Sequence, residues 1–179
     1  ASYAERADLL FIGGFQHPPN SDAMLWFVGD ILPRILLQLP QVRLHLVGSK
    51  MPDNIKALAS DAVIVHGFVE NIEPLLDGCR ISVAPMRYGA GVKGKVNMAM
   101  SYGLPVVATP MAVEGIDAVD GEDVLVADNA DAFAAAVLRL YNDDALWLKL
   151  SQGGADNVRQ QFSFATARAA LQRLLATNP

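Results

Sequence analysis

Cysteine is almost missing from this chain. Cys79 is the only one in 179 residues, so no internal disulfide can close and no cysteine-based metal cluster can form. That usage suits a reducing compartment and gives a cytoplasmic expectation. The three histidines are His17, His45 and His66, and no two of them stand at metal-ligand spacing. There is no Asp-x-Asp to hold a metal-bound diphosphate, no G-x-S-x-G elbow and no Walker loop. No metal or cofactor is therefore expected, and stabilising a leaving group would fall to positive side chains and backbone dipoles. No apolar run reaches the ~18 residues of a membrane span, and no signal-peptide pattern opens the chain. Charged residues make up only 18%, with a net charge of −5. That balance argues against a nucleic-acid partner and makes any basic site a local one.

What is there is apolar, at 52% hydrophobic residues, enough for one domain with a substantial core across residues 1–179. Short apolar runs alternate with helical patterns. The strands expected are Leu9–Gly13, Val42–Gly48, Val63–Gly67, Ile81–Pro85, Pro105–Thr109 and Val124–Asp128. Most are apolar on both faces, the mark of parallel strands covered on each side by helices.

A first helix is expected from a cap at Asn20 or Ser21, with Asp22 in its first turn and a stripe of Leu25, Val28, Leu32, Ile35, Leu36 and Leu39. Pro33 should kink or split it. Further helices are expected over Asp53–Ser60, Ile72–Cys79, Lys93–Tyr102, Ala130–Tyr141, Asp144–Phe162 and Phe164–Ala176. The alternation predicts a doubly wound α/β domain, Rossmann-like, on a mainly parallel sheet of about six strands. Ligands of such sheets sit beyond the C-terminal strand ends.

One of those loops is rich in glycine and lysine: Arg87-Tyr88-Gly89-Ala90-Gly91-Val92-Lys93-Gly94-Lys95. Backbone N–H groups, a helix N-terminus and fixed positive charge can there converge on one phosphate-sized anion. Gly89 to Gly94 spell G-x-G-x-x-G, with Glu114 about 20 residues on, as in the dinucleotide fingerprint. The context differs from that fingerprint. Met86, Arg87 and Tyr88 separate Gly89 from its strand, three strand–helix units come first, and Pro110 interrupts the approach to Glu114.

A nucleotide-diphosphate grip fits better, because the phosphate charge must be neutralised on leaving water. If both lysines lie in helix they face different ways. Lys95, in the first turn, is expected to reach the ligand while Lys93 stays solvated. Gly13-Gly14 after the first strand reads as a tight turn that also permits close ligand approach. His17 reads as a surface-loop residue, with a place lining the cleft as the alternative; His45 and His66 read as structural, and Cys79 as a small core residue.

These residues, taken in order, resemble the C-terminal donor-binding lobe of two-lobed, GT-B-type glycosyltransferases of the retaining group 1 family. The resemblance runs through Leu9–Phe15, Pro19-Asn20, Leu46–Gly48, His66–Val69, Ala84-Pro85, Gly89–Gly91 with Lys95, Ala99-Met100 and Gly103–Thr109. It implies one half of a GT-B architecture, binding a UDP-, GDP- or dTDP-linked sugar. Gly67, Phe68 and Val69 would lie near the base. Arg87, Tyr88, Gly89, Ala90, Gly91, Lys93 and Lys95 would face the diphosphate and sugar, Lys95 touching phosphate, with Gly13, Gly14, Asn97, Met98 and Glu114 completing the expected site. The acceptor, a glycan or a lipid-linked one, would come from an N-terminal lobe not contained in this chain. Any membrane association would come through that lobe too.

The family pattern places a glutamate for the ribose where this chain has Met98, and an acidic residue facing the sugar where it has Ala90. An arginine and a lysine are usual after the first strand, yet none occurs between Gly13 and Arg34. Two alternatives therefore stand beside the transferase half. One is a degenerate lobe kept for nucleotide sensing or protein association; the other is a nucleotide-sugar epimerase. A start at Ala1, with a strand by Leu9, reads as a fragment cut at a domain boundary or as a short native protein that has lost its methionine.

Overall fold

Six short parallel strands carry the fold, in a computed structural model that describes residues 1–162. They are β1 (Ala7–Ile12), β2 (Leu44–Val47), β3 (Val63–Gly67), β4 (Cys79–Ala84), β5 (Val106–Ala108) and β6 (Leu125–Val126), in the order β3-β2-β1-β4-β5-β6. Each falls on an expected run, and every pairing is parallel. β1 is central, with Leu9 opposite both Leu44 and Ile81. The chain winds outward from β1 to β3, crosses back, and winds outward again from β4 to β6. Right-handed crossovers in the two directions put helices on both faces of the sheet. Leu9, Leu10 and Phe11 are accordingly buried without alternation.

The helices are α1 (Pro18–Trp26), α2 (Leu32–Leu36), α3 (Asp53–Lys56), α4 (Glu73–Gly78), α5 (Gly94–Ser101), α6 (Ala130–Asn142) and α7 (Asp144–Gln161). α6 packs on α2, and α7 packs on α5. Asn129 and Asp143 cap α6 and α7, each accepting a hydrogen bond from an N–H in the first turn. The expected helix over Phe164–Ala176 lies outside the described residues. No helix among those described is long and apolar enough to cross a membrane.

The first helix departs from expectation at both ends. It begins at Pro18, after an extended His17, so both prolines occupy opening positions where a missing N–H costs nothing. Asn20 is thereby an internal, buried residue rather than a cap. A π-helical turn at Phe27–Ile31 precedes Pro33 and absorbs its missing donor, so the axis continues into α2. That extra residue rotates the buried stripe onto Ala23, Met24, Phe27, Ile31, Leu32 and Ile35, and leaves Leu25 exposed. Phe27 then meets Phe133 of α6 edge-on, at 6.0 Å.

His45 and His66 belong to the scaffold as expected. Asp8 carries a left-handed backbone (φ 65) inside β1 and accepts from the Arg43 N–H at 2.9 Å. His45 Nε2 stands 3.2 Å from the same carboxylate, and His45 Nδ1 is 2.9 Å from His66 Nε2. Cys79 is buried, and burial pushes its thiol up to about 12, which leaves it unreactive.

The loops at the C-terminal strand ends are stitched together. Gly13 N–H donates to Val47 O, Phe15 N–H to Ser49 O, and Gly48 N–H to Gly67 O. Gly48 is where close approach demands glycine, because a Cβ there would lie 1.7 Å from the Gly13 carbonyl oxygen. Gly48→Ala should therefore cost about 1–3 kcal/mol or more by overpacking. Gly29→Ala, whose Cβ would meet nothing within 4 Å, should be neutral or stabilising by about 0.5–1 kcal/mol. Denaturant unfolding of the two variants checks the contrast, and equal effects would contradict it.

Candidate nucleotide-binding site

The sheet order reverses between β1 and β4, and a cleft of about 500 Å³ opens there. One wall is the loop after β1 and the start of α1: Ile12, Gly13, Gly14, His17, Pro19 and Asn20. The other is the loop after β4 and the start of α5: Met86, Gly89, Ala90, Val92, Lys93, Gly94, Lys95 and Met98. A switch-point crevice is where doubly wound sheets bind ligands, and its volume suits a small-molecule site.

Asn20 organises the first wall. Its Nδ2 donates to Gly14 O at 2.7 Å, and its Oδ1 accepts from Lys95 Nζ. Gly13 serves this packing more than a turn: a Cβ there would meet Asn20 Cγ at 2.9 Å, and its φ is not left-handed. Only the early start of α1 makes this role visible in sequence. The Pro18-Pro19 pair was the signal for it.

Lys95 is the chemical centre. Its Nζ lies 4.3 Å from the centroid of the Phe11 ring and 3.6 Å from Met86 Sδ. Among the described residues no carboxylate pairs with it. Burial, aided by the charge of Lys93, lowers its pKa from the ordinary lysine value to about 7. Lys93, at the cap position of α5, makes no capping hydrogen bond with its side chain, and the first turn of that helix carries Lys95. The arrangement offers one titratable cation and open N–H groups to an anion.

Lys93 is not solvated, contrary to expectation. It precedes α5 with an extended backbone (φ −89, ψ 91), so helical spacing does not separate it from Lys95. Its side chain, 8% exposed, folds back to donate to Gly91 O at 2.5 Å and lies 3.7 Å from Glu114 Oε2. Both lysines line the cleft.

The other expected residues divide. Gly13, Gly14, Gly89, Ala90 and Met98 line the cleft, as does His17 at its exposed mouth, where the cleft was the alternative to a plain surface-loop position. Gly91, at φ 74, shapes the loop between Gly89 and Lys93. Gly67, Phe68 and Val69 stand at the end of β3, outside the cleft lining, with Phe68 75% exposed. Tyr88, exposed, and Glu114, which meets the cleft only through Lys93, are not in its lining. Asn97 points elsewhere, its Oδ1 buried without a hydrogen-bond partner. Arg87 turns from the cleft to Asp22 of α1, because a carboxylate lies within reach on that side. Met98 replaces any carboxylate on its wall, which is apolar there, with Ile12, Met86 and Val92 alongside.

A crevice lined by two lysines at the switch point of a doubly wound parallel sheet defines a Rossmann-like domain with its candidate ligand site at the strand ends. The family model described as "Glycosyl transferases group 1" matches residues 6–143, and the chain belongs to that family. Among curated proteins, it is 30% identical over 151 residues to the lipopolysaccharide core biosynthesis glycosyltransferase LpsE of Rhizobium meliloti, covering 79% of this chain and 44% of LpsE. Among solved structures, it superposes with a TM-score of 0.71 on the C-terminal domain of the group 1 glycosyltransferase LpcC from Francisella tularensis. That match has 19% identity and covers 89% of this chain and 87% of that one. Anabaena HepE, solved with UDP and glucose, gives a TM-score of 0.76 at 16% identity, covering 97% of this chain and 49% of HepE. The chain spans less than half the length of the curated relatives it matches. Its fold is that of a GT-B half.

The sign of the Lys95 shift gives a test. Between pH of about 7 and the ordinary lysine value the unfolded chain holds a proton that the folded chain has lost, so this group's cost to folding is fully present below about 7 and fades as pH rises. Lys95→Met should raise the melting temperature at pH 6, by roughly 2–4 °C per kcal/mol recovered, and gain little near pH 10. A variant less stable than wild type at pH 6 would contradict the reading.

Proposed function

We propose that this chain is the donor-binding half of a glycosyltransferase that moves a sugar from a nucleotide-sugar to an acceptor with retention of configuration. The observation that carries the reading is Lys95, part-buried with no carboxylate partner among the described residues, beside the N-terminus of α5 at the switch-point cleft. Such a group is stabilised by an arriving anion, and a diphosphate supplies one. Lys93, at the same cleft, adds positive charge next to it.

On this reading the diphosphate lies across the start of α5 with Lys95 against it, and the base runs past Gly13-Gly14 toward Gly67, Phe68 and Val69 at the end of β3. The acceptor hydroxyl attacks the anomeric carbon while the nucleoside diphosphate departs. Lys95, protonated by then, and the helix N–H groups offset the charge that builds on the leaving oxygen. The acceptor, a glycan or lipid-linked glycan, is brought by an N-terminal lobe outside this chain, so the 179 residues alone bind donor without transferring sugar. HepE, of the same fold, was solved with UDP, which makes UDP the first nucleotide to test.

A second reading draws on Met98 and Ala90. Among the described residues no acidic side chain lines the cleft, so a lobe kept for nucleotide sensing would show the same loop. Both readings require nucleotide binding; transfer by the chain joined to an N-terminal lobe separates them.

Calorimetric titration with UDP, GDP, dTDP and ADP, without added metal, is the test. One nucleotide should bind saturably, and Lys95→Ala should weaken it by about 1–3 kcal/mol. Affinity should fall between pH 7 and 9, because binding must restore the Lys95 proton. Equal affinity in Lys95→Ala would remove Lys95 from the site. No binding of any of the four at millimolar concentration would contradict the donor-lobe reading.

A further inference from the structure

Between Met86 and Lys93 the glycine loop has no regular structure. Among the described residues no backbone–backbone hydrogen bond fastens Arg87 to Val92. Gly89 and Gly91 adopt positive φ values of 134 and 74, open to many other conformations in a free chain. Such a segment cannot present a formed cleft wall unless something else restrains it. Two side chains do so. At the far end Lys93 donates to Gly91 O and reaches Glu114. At the near end stands Arg87.

Arg87 makes a fork-on-fork contact with α1. Its Nε donates to Asp22 Oδ2 at 2.9 Å, and its Nη2 donates to Asp22 Oδ1. The guanidinium also lies over the Trp26 ring, 5.5 Å from its centroid. Asp22 and Trp26 are four residues apart, one turn along the same face of α1. They form a planar seat that suits guanidinium and not ammonium. The same helix carries Pro19 and Asn20 of the opposite cleft wall, and Gly89 passes the Pro19 ring closely, its Cβ position 3.7 Å from Pro19 Cγ.

We infer that Arg87 is a positioning residue: with Asp22 and Trp26 it latches the glycine loop to α1, holding the two cleft walls at the spacing a diphosphate requires. The inference rests on the nucleotide-binding reading above for its purpose, but the latch itself is defined without nucleotide. It differs from the family-derived expectation that Arg87 faces the diphosphate. In the latch, Asp22 is as necessary as Arg87. For a ligand-binding arginine, Asp22 is a competitor whose removal would free the cation.

Asp22→Ala therefore decides. In the 179-residue chain without nucleotide, the backbone nitrogen-15 order parameters of residues 88–92 should fall from rigid values of about 0.85 to below about 0.6 in both Arg87→Ala and Asp22→Ala. Amide hydrogen exchange in the β-strands should stay unchanged, which separates the latch from general loss of structure. UDP affinity should fall by about tenfold in each single variant and no further in the double variant, the non-additivity of one shared contact. The exchange Asp22→Arg with Arg87→Asp should restore both readouts in part, whereas Arg87→Lys should not. Order parameters at 88–92 that stay high in Asp22→Ala, or undiminished UDP affinity there beside a loss in Arg87→Ala, would overturn the latch. If wild type binds no UDP, the order parameters alone decide it, and the failure belongs to the nucleotide reading.

Discussion

A part-buried lysine amine with no anionic partner among the described residues is the constraint around which this molecule is arranged. Removing an ammonium group from water is costly, and a protein meets that cost by pairing the charge, by releasing the proton, or by both in turn. Here Lys95 is held by neutral acceptors, Asn20 Oδ1 and Met86 Sδ, above the face of Phe11. Each of these comes from a different part of the fold: α1, the loop after β4, and β1. The site is thus a meeting point of the two halves of the sheet, and its geometry depends on the register between β1 and β4.

That dependence explains features that look unrelated along the chain. Gly48 has no side chain because the Gly13 carbonyl passes beside it, and Gly13 has none because the Asn20 amide lies against it. Asn20 reaches both Gly14 and Lys95 only because two prolines start α1 early. The π-helical turn then re-aims the rest of that helix so that Phe27 and Ile31 enter the core. Packing of the scaffold and placement of the amine are one problem. A group that destabilises the fold is tolerated where it serves a site.

Much of this was legible in the sequence. The six apolar runs gave the strands, because parallel strands buried on both faces leave a continuous signal. The loop from Gly89 to Lys95 and the Gly13-Gly14 pair marked the cleft, since only loops at C-terminal strand ends reach a switch point. What stayed hidden was long-range. Arg87 carries nothing in its own neighbourhood that names Asp22, 65 residues earlier. Lys93 was assigned to solvent by helical geometry that does not apply to a residue preceding the helix. Gly67 to Val69 follow the family pattern, yet they stand two strands away from the cleft in this half alone.

The central claim is that Lys95 is an amine only partly protonated near pH 7 that takes up a proton when a diphosphate arrives. Carbon-detected NMR of the lysine Cε groups, followed through pH in the free chain and with UDP, with Lys95→Met used for assignment, measures this directly. The account predicts a Lys95 midpoint of about 7 in the free chain, moved upward by at least about one unit with UDP. A free midpoint near the ordinary lysine value, or one that UDP leaves in place, would contradict it.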